Sequence, residues 1–73
     1  MAPPEPRFDL ARLEATLGQN DQALKDLAAS LQLSAARLKA DPKARDLLVE
    51  SRTDGSFNSL RNNPTFKQLV PAN

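Results

Sequence analysis

The chain predicts an all-α fold: an antiparallel helical hairpin closed by two shorter helices towards the carboxy terminus. Three observations carry that expectation. Leucines recur at three- and four-residue steps, as in Leu24, Leu27 and Leu31, the period of a helix with one buried face. β-Branched residues are few (Val49, Val70, Thr16, Thr53 and Thr65, with no Ile), which disfavours a sheet. Tyr and Trp are absent, and Phe8, Phe57 and Phe66 are the only aromatics, so the core is expected to be Leu and Ala in closely packed helices.

The 73 residues make one domain. A chain of that size hides only about 60% of the surface its unfolded form exposes, and such domains lean on disulfides, metals, partners or very regular packing. The sequence has no Cys and no His, which removes disulfides, thiolate sites and the commonest metal ligand. The formal charge of +1 is of mixed sign and sets up no strong field towards nucleic acid or membrane. No apolar run approaches the ~20 residues that span a bilayer. The amino terminus has no basic region followed by an apolar one, and the expected location is the cytoplasm.

Residues 1–6 (MAPPEP) hold three prolines and read as a flexible, extended lead-in before a single helical domain over 7–73. From Phe8 the pattern is helical, with Leu10, Leu13 or Glu14, and Leu17 recurring and Asp9, Arg12 and Thr16 among the polar positions. Gly18 is placed to end this helix with a positive φ. Asn20 fits the cap of a second helix, with Asp21 near the positive end of its dipole. The short turn between them sets the two helices back to back.

The second helix, Asp21 to Ala40, offers Leu24, Leu27, Ala28, Leu31, Ala35 and Leu38 as its inner face and leaves Lys25 and Asp26 largely off it. Whether it continues unbroken through Leu33-Ser34 is open at this level. Asp41-Pro42 reads as a cap and first residue of a third helix, Pro42 to Ser51, with Ala44, Leu47 and Leu48 inward. Thr53-Asp54-Gly55 signals a turn. Ser56 to Leu60 has room for one helical or 3₁₀ turn with Phe57 and Leu60 inward. Asn63-Pro64 starts a last helix, Pro64 to Val70, which buries Phe66, Leu69 and Val70 and stops at Pro71.

Catalytic constellations are missing from this order of residues. There is no phosphate-binding glycine loop, no zinc spacing and no nucleophile with a base partner, so the expected class is non-enzymatic, with no cofactor and no metal. The carboxylates Asp9, Glu14, Asp21, Asp26, Asp46 and Glu50 fall on amphipathic surfaces and are expected to be solvated. Arg37, Lys39, Lys43, Arg45 and Arg52 gather near Asp41-Pro42, but Asp41, Asp46 and Glu50 interleave with them, which favours a solvated surface over a phosphate patch.

Residues 8–34 resemble a tetratricopeptide repeat, a helix–turn–helix hairpin of about 34 residues. With Gly18 at the glycine of the repeat's turn, Leu10 and Ala11 take the Leu-Gly pair of its first helix. Ala23 then takes the small residue of the second helix, and Leu27 the large one four later. Arg7, Glu14 and Ala35 stand where the pattern prefers Trp, Tyr and Pro. The tail resembles the segment D-x-D-F-x-x-L-R-x-D-P-R-F-x-x-L that closes many bacterial members. Phe57, Leu60, Arg61, Pro64, Phe66 and Leu69 match, while Gly55 and Thr65 depart from it. A cap of this kind covers the apolar face of the last hairpin.

The resemblance implies a protein–protein or peptide interaction module, with the ligand-facing surface largely on the first helix. It names Phe8, Asp9, Arg12, Ala15 and Thr16 as the partner-binding strip, and the missing preceding neighbour suggests self-association through that helix. Phe8 has an alternative fate, packing against Leu60 or Leu69. Leu24 to Leu38 also resembles a DNA-binding helix-turn-helix by its apolar spacing. Gln32 sits where that turn favours Gly, and Ala35, Ala36, Arg37 and Lys39 offer few groups for base edges, so nucleic acid is the weaker reading. A small helical assembly or chaperone subunit is the remaining alternative.

Overall fold

The computed structural model describes residues 2–71; Met1, Ala72 and Asn73, at the two ends of the predicted segments, lie outside them. The described residues are all-α: α1 (Glu5–Thr16), α2 (Asn20–Ala40), α3 (Leu47–Thr53), a 3₁₀ helix (Gly55–Leu60) and α4 (Pro64–Leu69). The first helix begins inside the proline-rich segment expected to be extended. Pro4 is its buried N-cap and Pro6 lies in its first turn, where a residue without an N–H leaves no helical bond unmade.

Gly18 closes α1 as expected, at φ +81°. The N–H of Gln19 donates to Glu14 O at 2.8 Å and that of Gly18 to Ala15 O at 3.2 Å, the paired bonds of a Schellman cap. The cap position of α2 is Gln19, not Asn20, and its side chain makes no capping bond. The hairpin is antiparallel, because Glu5 at the start of α1 pairs with Arg37 near the end of α2 through bonds of 2.7 and 3.0 Å. The α2 helix runs without a break through Gln32, Leu33 and Ser34. The segment 24–38 therefore lacks the turn that a helix-turn-helix reader requires.

The inner face of α2 is rotated from the expected one. Ala23, Leu24, Asp26, Leu27, Ser30 and Ser34 are buried, Ala35 is exposed, and Ala28, Leu31 and Leu38 are half-buried. Small serines allow the following chain to lie close. The Ser34 hydroxyl donates to Arg45 O at 3.4 Å and accepts from Leu47 N at 3.2 Å, supplying a partner for an N–H that a helix start leaves unpaired.

This pinning explains why α3 starts later than Asp41-Pro42 suggests. Asp41 makes only a local turn, with its Oδ1 accepting from Lys43 N. Asp46 caps α3 instead, accepting from Leu48 N and Val49 N. Downstream, the expected cap at Asn63 holds, and Asp54, expected only in a turn, caps the 3₁₀ helix as well. Asp54 accepts from Ser56 N and Asn63 from Thr65 N and Phe66 N, each worth about 1 kcal/mol.

The core joins the hairpin to the tail. Phe8, Ala11, Ala15, Ala23, Leu27, Leu47, Phe57, Leu60, Phe66 and Val70 are buried in one cluster, with Leu31, Leu48 and Leu69 packed at its edge. Phe57 is the hub. Its ring meets Phe8 edge-on at 5.7 Å and Phe66 at 5.9 Å. Arg61 locks the corner: Nη1 donates to Ser51 O at 2.9 Å and Nη2 to Asp54 O at 2.7 Å, while its guanidinium lies 5.4 Å from the Phe66 ring centre. One side chain thus satisfies two carbonyls at the end of α3 and covers the core ring below.

Candidate functional site

Two residues of the expected partner strip are core residues. Phe8 and Ala15 are buried, Phe8 against Phe57 and Ala15 beneath the 3₁₀ helix, where Ser59 Oγ donates to its carbonyl at 3.4 Å. Asp9, Arg12 and Thr16 are exposed, but Arg12 is already engaged. Its Nε lies 2.9 Å from Asp54 Oδ2 and its Nη1 3.5 Å from Asp9 Oδ1, so it ties α1 to the start of the 3₁₀ helix. Thr16 bonds back to Arg12 O at 2.9 Å. Phe8, Arg12 and Ala15 thus join α1 to the tail, while Asp9 and Thr16 stay exposed and bond only within α1.

The open surface of α1 lies on its other side. Leu10, Leu13 and Leu17, expected to face inward, are 45%, 56% and 62% exposed. At about 100° per residue, they cluster opposite Phe8, Ala11 and Ala15. Pro6 continues the same line and is also exposed. The helix is therefore apolar on two sides, with alanines and Phe8 against the body and leucines towards solvent. A helix apolar on both sides is characteristic of a buried layer, whereas this one is covered on one side only.

Pro6 also joins this stripe to an open groove of about 470 Å³ between the start of α1 and α2, lined by Pro3, Pro6, Arg7, Ala29 and Leu33 among others. A second groove, of about 430 Å³, lies between α2 and α4 over Leu24, Ala28 and Leu69. It does not touch the stripe.

A buried carboxyl pair, absent from the expected site, stands at the edge of the stripe. Glu14 and Asp26, both read as solvated from sequence, are buried between α1 and α2. Glu14 Oε1 and Asp26 Oδ2 accept no hydrogen bond from an N–H or hydroxyl donor. The hydrogen bond to Asp26, then burial, then repulsion by the Asp26 charge push the Glu14 carboxyl up to about 7. A proton on Glu14 gives the pair the donor it otherwise lacks. Arg7 Nη1 reaches Asp26 Oδ1 at 3.4 Å from an exposed position. Period counting places Glu14 near the α1 inner face, but nothing in the sequence pairs it with Asp26.

Acidic partners engage two of the five clustered basic residues. Arg37 binds Glu5, Arg45 forks onto Glu50 at 2.7 and 3.0 Å and approaches Glu5 at 3.9 Å, and these contacts hold Glu5 and Glu50 below the usual carboxyl range. Arg52 instead donates to Pro71 O at 3.1 Å. Arg37 and Arg45 therefore clasp neighbouring segments together, whereas Lys39 and Lys43 are exposed. Among the described residues, no group of three or more acidic side chains is arranged to hold a metal ion, and no helix is long and apolar enough to cross a membrane. The chain matches no protein-family model, no curated protein and no solved structure.

Proposed function

We propose that this chain is a non-catalytic protein or peptide interaction module of tetratricopeptide-like type, working in the cytoplasm, whose contact surface is the outer face of α1. The exposed line Leu10, Leu13 and Leu17 carries the reading. Contiguous apolar side chains on the solvent side of a helix mark an interaction site more often than scattered ones do. Two further observations support the repeat-like assignment. Ala11, Ala23 and Leu27 are all fully buried where the repeat pattern wants two small residues and one large one. The tail covers the opposite side of the hairpin with Phe57, Leu60 and Phe66, as a terminal cap would. The partner strip accordingly moves around the helix, from Phe8 and Ala15 to the leucines.

Comparing partner recovery by the wild type, Leu13→Glu and Lys39→Glu tests this. Recovery lost in Leu13→Glu and kept in Lys39→Glu is expected, with helix content unchanged by circular dichroism in both. Equal recovery by all three overturns the proposed face.

A further inference from the structure

The outer face of α1 has a register as well as an apolar character. Pro6, Leu10, Leu13 and Leu17 are spaced four, three and four residues apart, the alternation of the a and d positions in a helix–helix seam. In that register Arg7 and Glu14 flank one side of the seam, and Asp9 and Thr16 flank the other. The flanks separate the two ways in which a second α1 can lie along the first. In a parallel pair, Asp9 of each copy falls beside the other's Glu14–Asp26 edge, where Glu14 is buried against the Asp26 charge, so negative charge meets negative charge twice. In an antiparallel pair, like flanks meet. Arg7 then falls beside Glu14 of the second copy twice, and Asp9 beside a neutral Thr16 twice. The apolar layers also close, with Leu10 on Leu13 and Pro6 on Leu17 of the other copy.

We infer that the chain self-associates through antiparallel pairing of α1 about a two-fold axis between Ala11 and Arg12, with Arg7 of each copy reaching the Glu14–Asp26 edge of the other. The inference rests on the outer face of α1 being the contact surface and names its occupant as a second copy. Arg7 is suited to the role. It spends one nitrogen on Asp26 at 3.4 Å while its side chain stays 58% exposed, so the rest of its fork is open to a second carboxyl. The twelve residues of α1 extend about 18 Å and supply three seam positions, with Leu17 at the C-cap adding the fourth. That falls short of the ~800 Å² per partner of a stable interface. The dimer is therefore weak.

Sedimentation equilibrium of the full chain from micromolar to millimolar concentration tests the pairing. Wild type is expected to move from monomer towards dimer, and Leu13→Glu to weaken association at least tenfold with unchanged helix content. Because the chain has no cysteine, its direction can be read by cross-linking. A mixture of Asp9→Cys and Thr16→Cys is expected to form a mixed disulfide several-fold faster than either variant forms one alone. A monomer up to millimolar overturns the pairing. An equally strong dimer in Leu13→Glu overturns its location, and preferential linkage of Thr16→Cys to itself overturns its direction. A monomeric wild type that still loses partner recovery in Leu13→Glu removes self-pairing and leaves the interaction face standing, so the two failures are distinguishable.

Discussion

The two sides of α1 meet opposite fates. On one, Phe8, Ala11 and Ala15 are sealed beneath the 3₁₀ helix and its neighbours, with Arg12 bridging to Asp54 across the top. On the other, three leucines of greater apolar size stand in solvent. Apolar content therefore does not decide which side is inside. Shape does, because alanines let α2 and the tail approach the α1 backbone, and Phe8 then fills the one deep gap beside Phe57. A leucine face would have held the two helices farther apart.

The contrast is open to test by substitution, and the sealed side offers the largest effect. Phe57→Ala removes the ring between Phe8 and Phe66 and is expected to cost about 3–5 kcal/mol, enough to unfold much of a domain this small. A urea midpoint close to wild type would mean that the sealed side is not what holds the fold. Arg61→Ala comes next. It strands the Ser51 carbonyl, leaves Asp54 O only its bond from Phe57 N, and is expected to cost about 1.5–3 kcal/mol, with little rescue by Arg61→Lys, because one ammonium cannot reproduce the fork.

A smaller, pH-dependent effect separates the hairpin joint from both sides. Glu14 keeps its proton up to about pH 7 in the folded chain against a usual value of 4.5. The folded state thus binds the extra proton, and its contribution is full below pH 4.5 and lost as pH rises through 7. Glu5 and Glu50 are shifted downward, so their contribution is full above 4.5 and lost only on further acidification. Between pH 5 and 8 the thermal midpoint is expected to fall as pH rises, and Glu14→Gln to flatten that slope. An unchanged slope would remove the shared proton. The smallest effect belongs to the open side, where Leu13→Glu should change monomer stability by no more than about 0.5 kcal/mol. A larger loss in denaturant melts of dilute protein would show that the leucine line supports the monomer fold.

Much of the fold was legible because its punctuation is chemical. Gly18, Asp54, Asn63 and Pro64 each do locally what their backbone chemistry predisposes them to do, and Phe57 and Leu60 turn inward as their spacing requires. The failures arose where distant contacts decide. Leucine periodicity marked α1 correctly as a helix but pointed to its exposed side, since period alone cannot tell which of two apolar faces a neighbour will cover. Buried Ser30 and Ser34 were invisible for the converse reason. They look polar in sequence, yet Ser30 bonds to Leu27 O at 2.7 Å and Ser34 serves the chain entering α3. Of the expected partner strip, the choice of helix rests on the resemblance, whereas the side of that helix was set by the tail.

The joint between Glu14 and Asp26 also changes what unfolding does to the surrounding solution. The formal charge of +1 counts every carboxyl as ionised. Slightly below neutrality the native chain carries most of one more positive charge, which it surrenders as Glu14 reaches water. Denaturation near pH 6 is therefore an acid-releasing event. Its calorimetric heat should vary with the ionisation enthalpy of the buffer, lower in imidazole than in phosphate, by the fraction of a proton given up and taken up by the buffer.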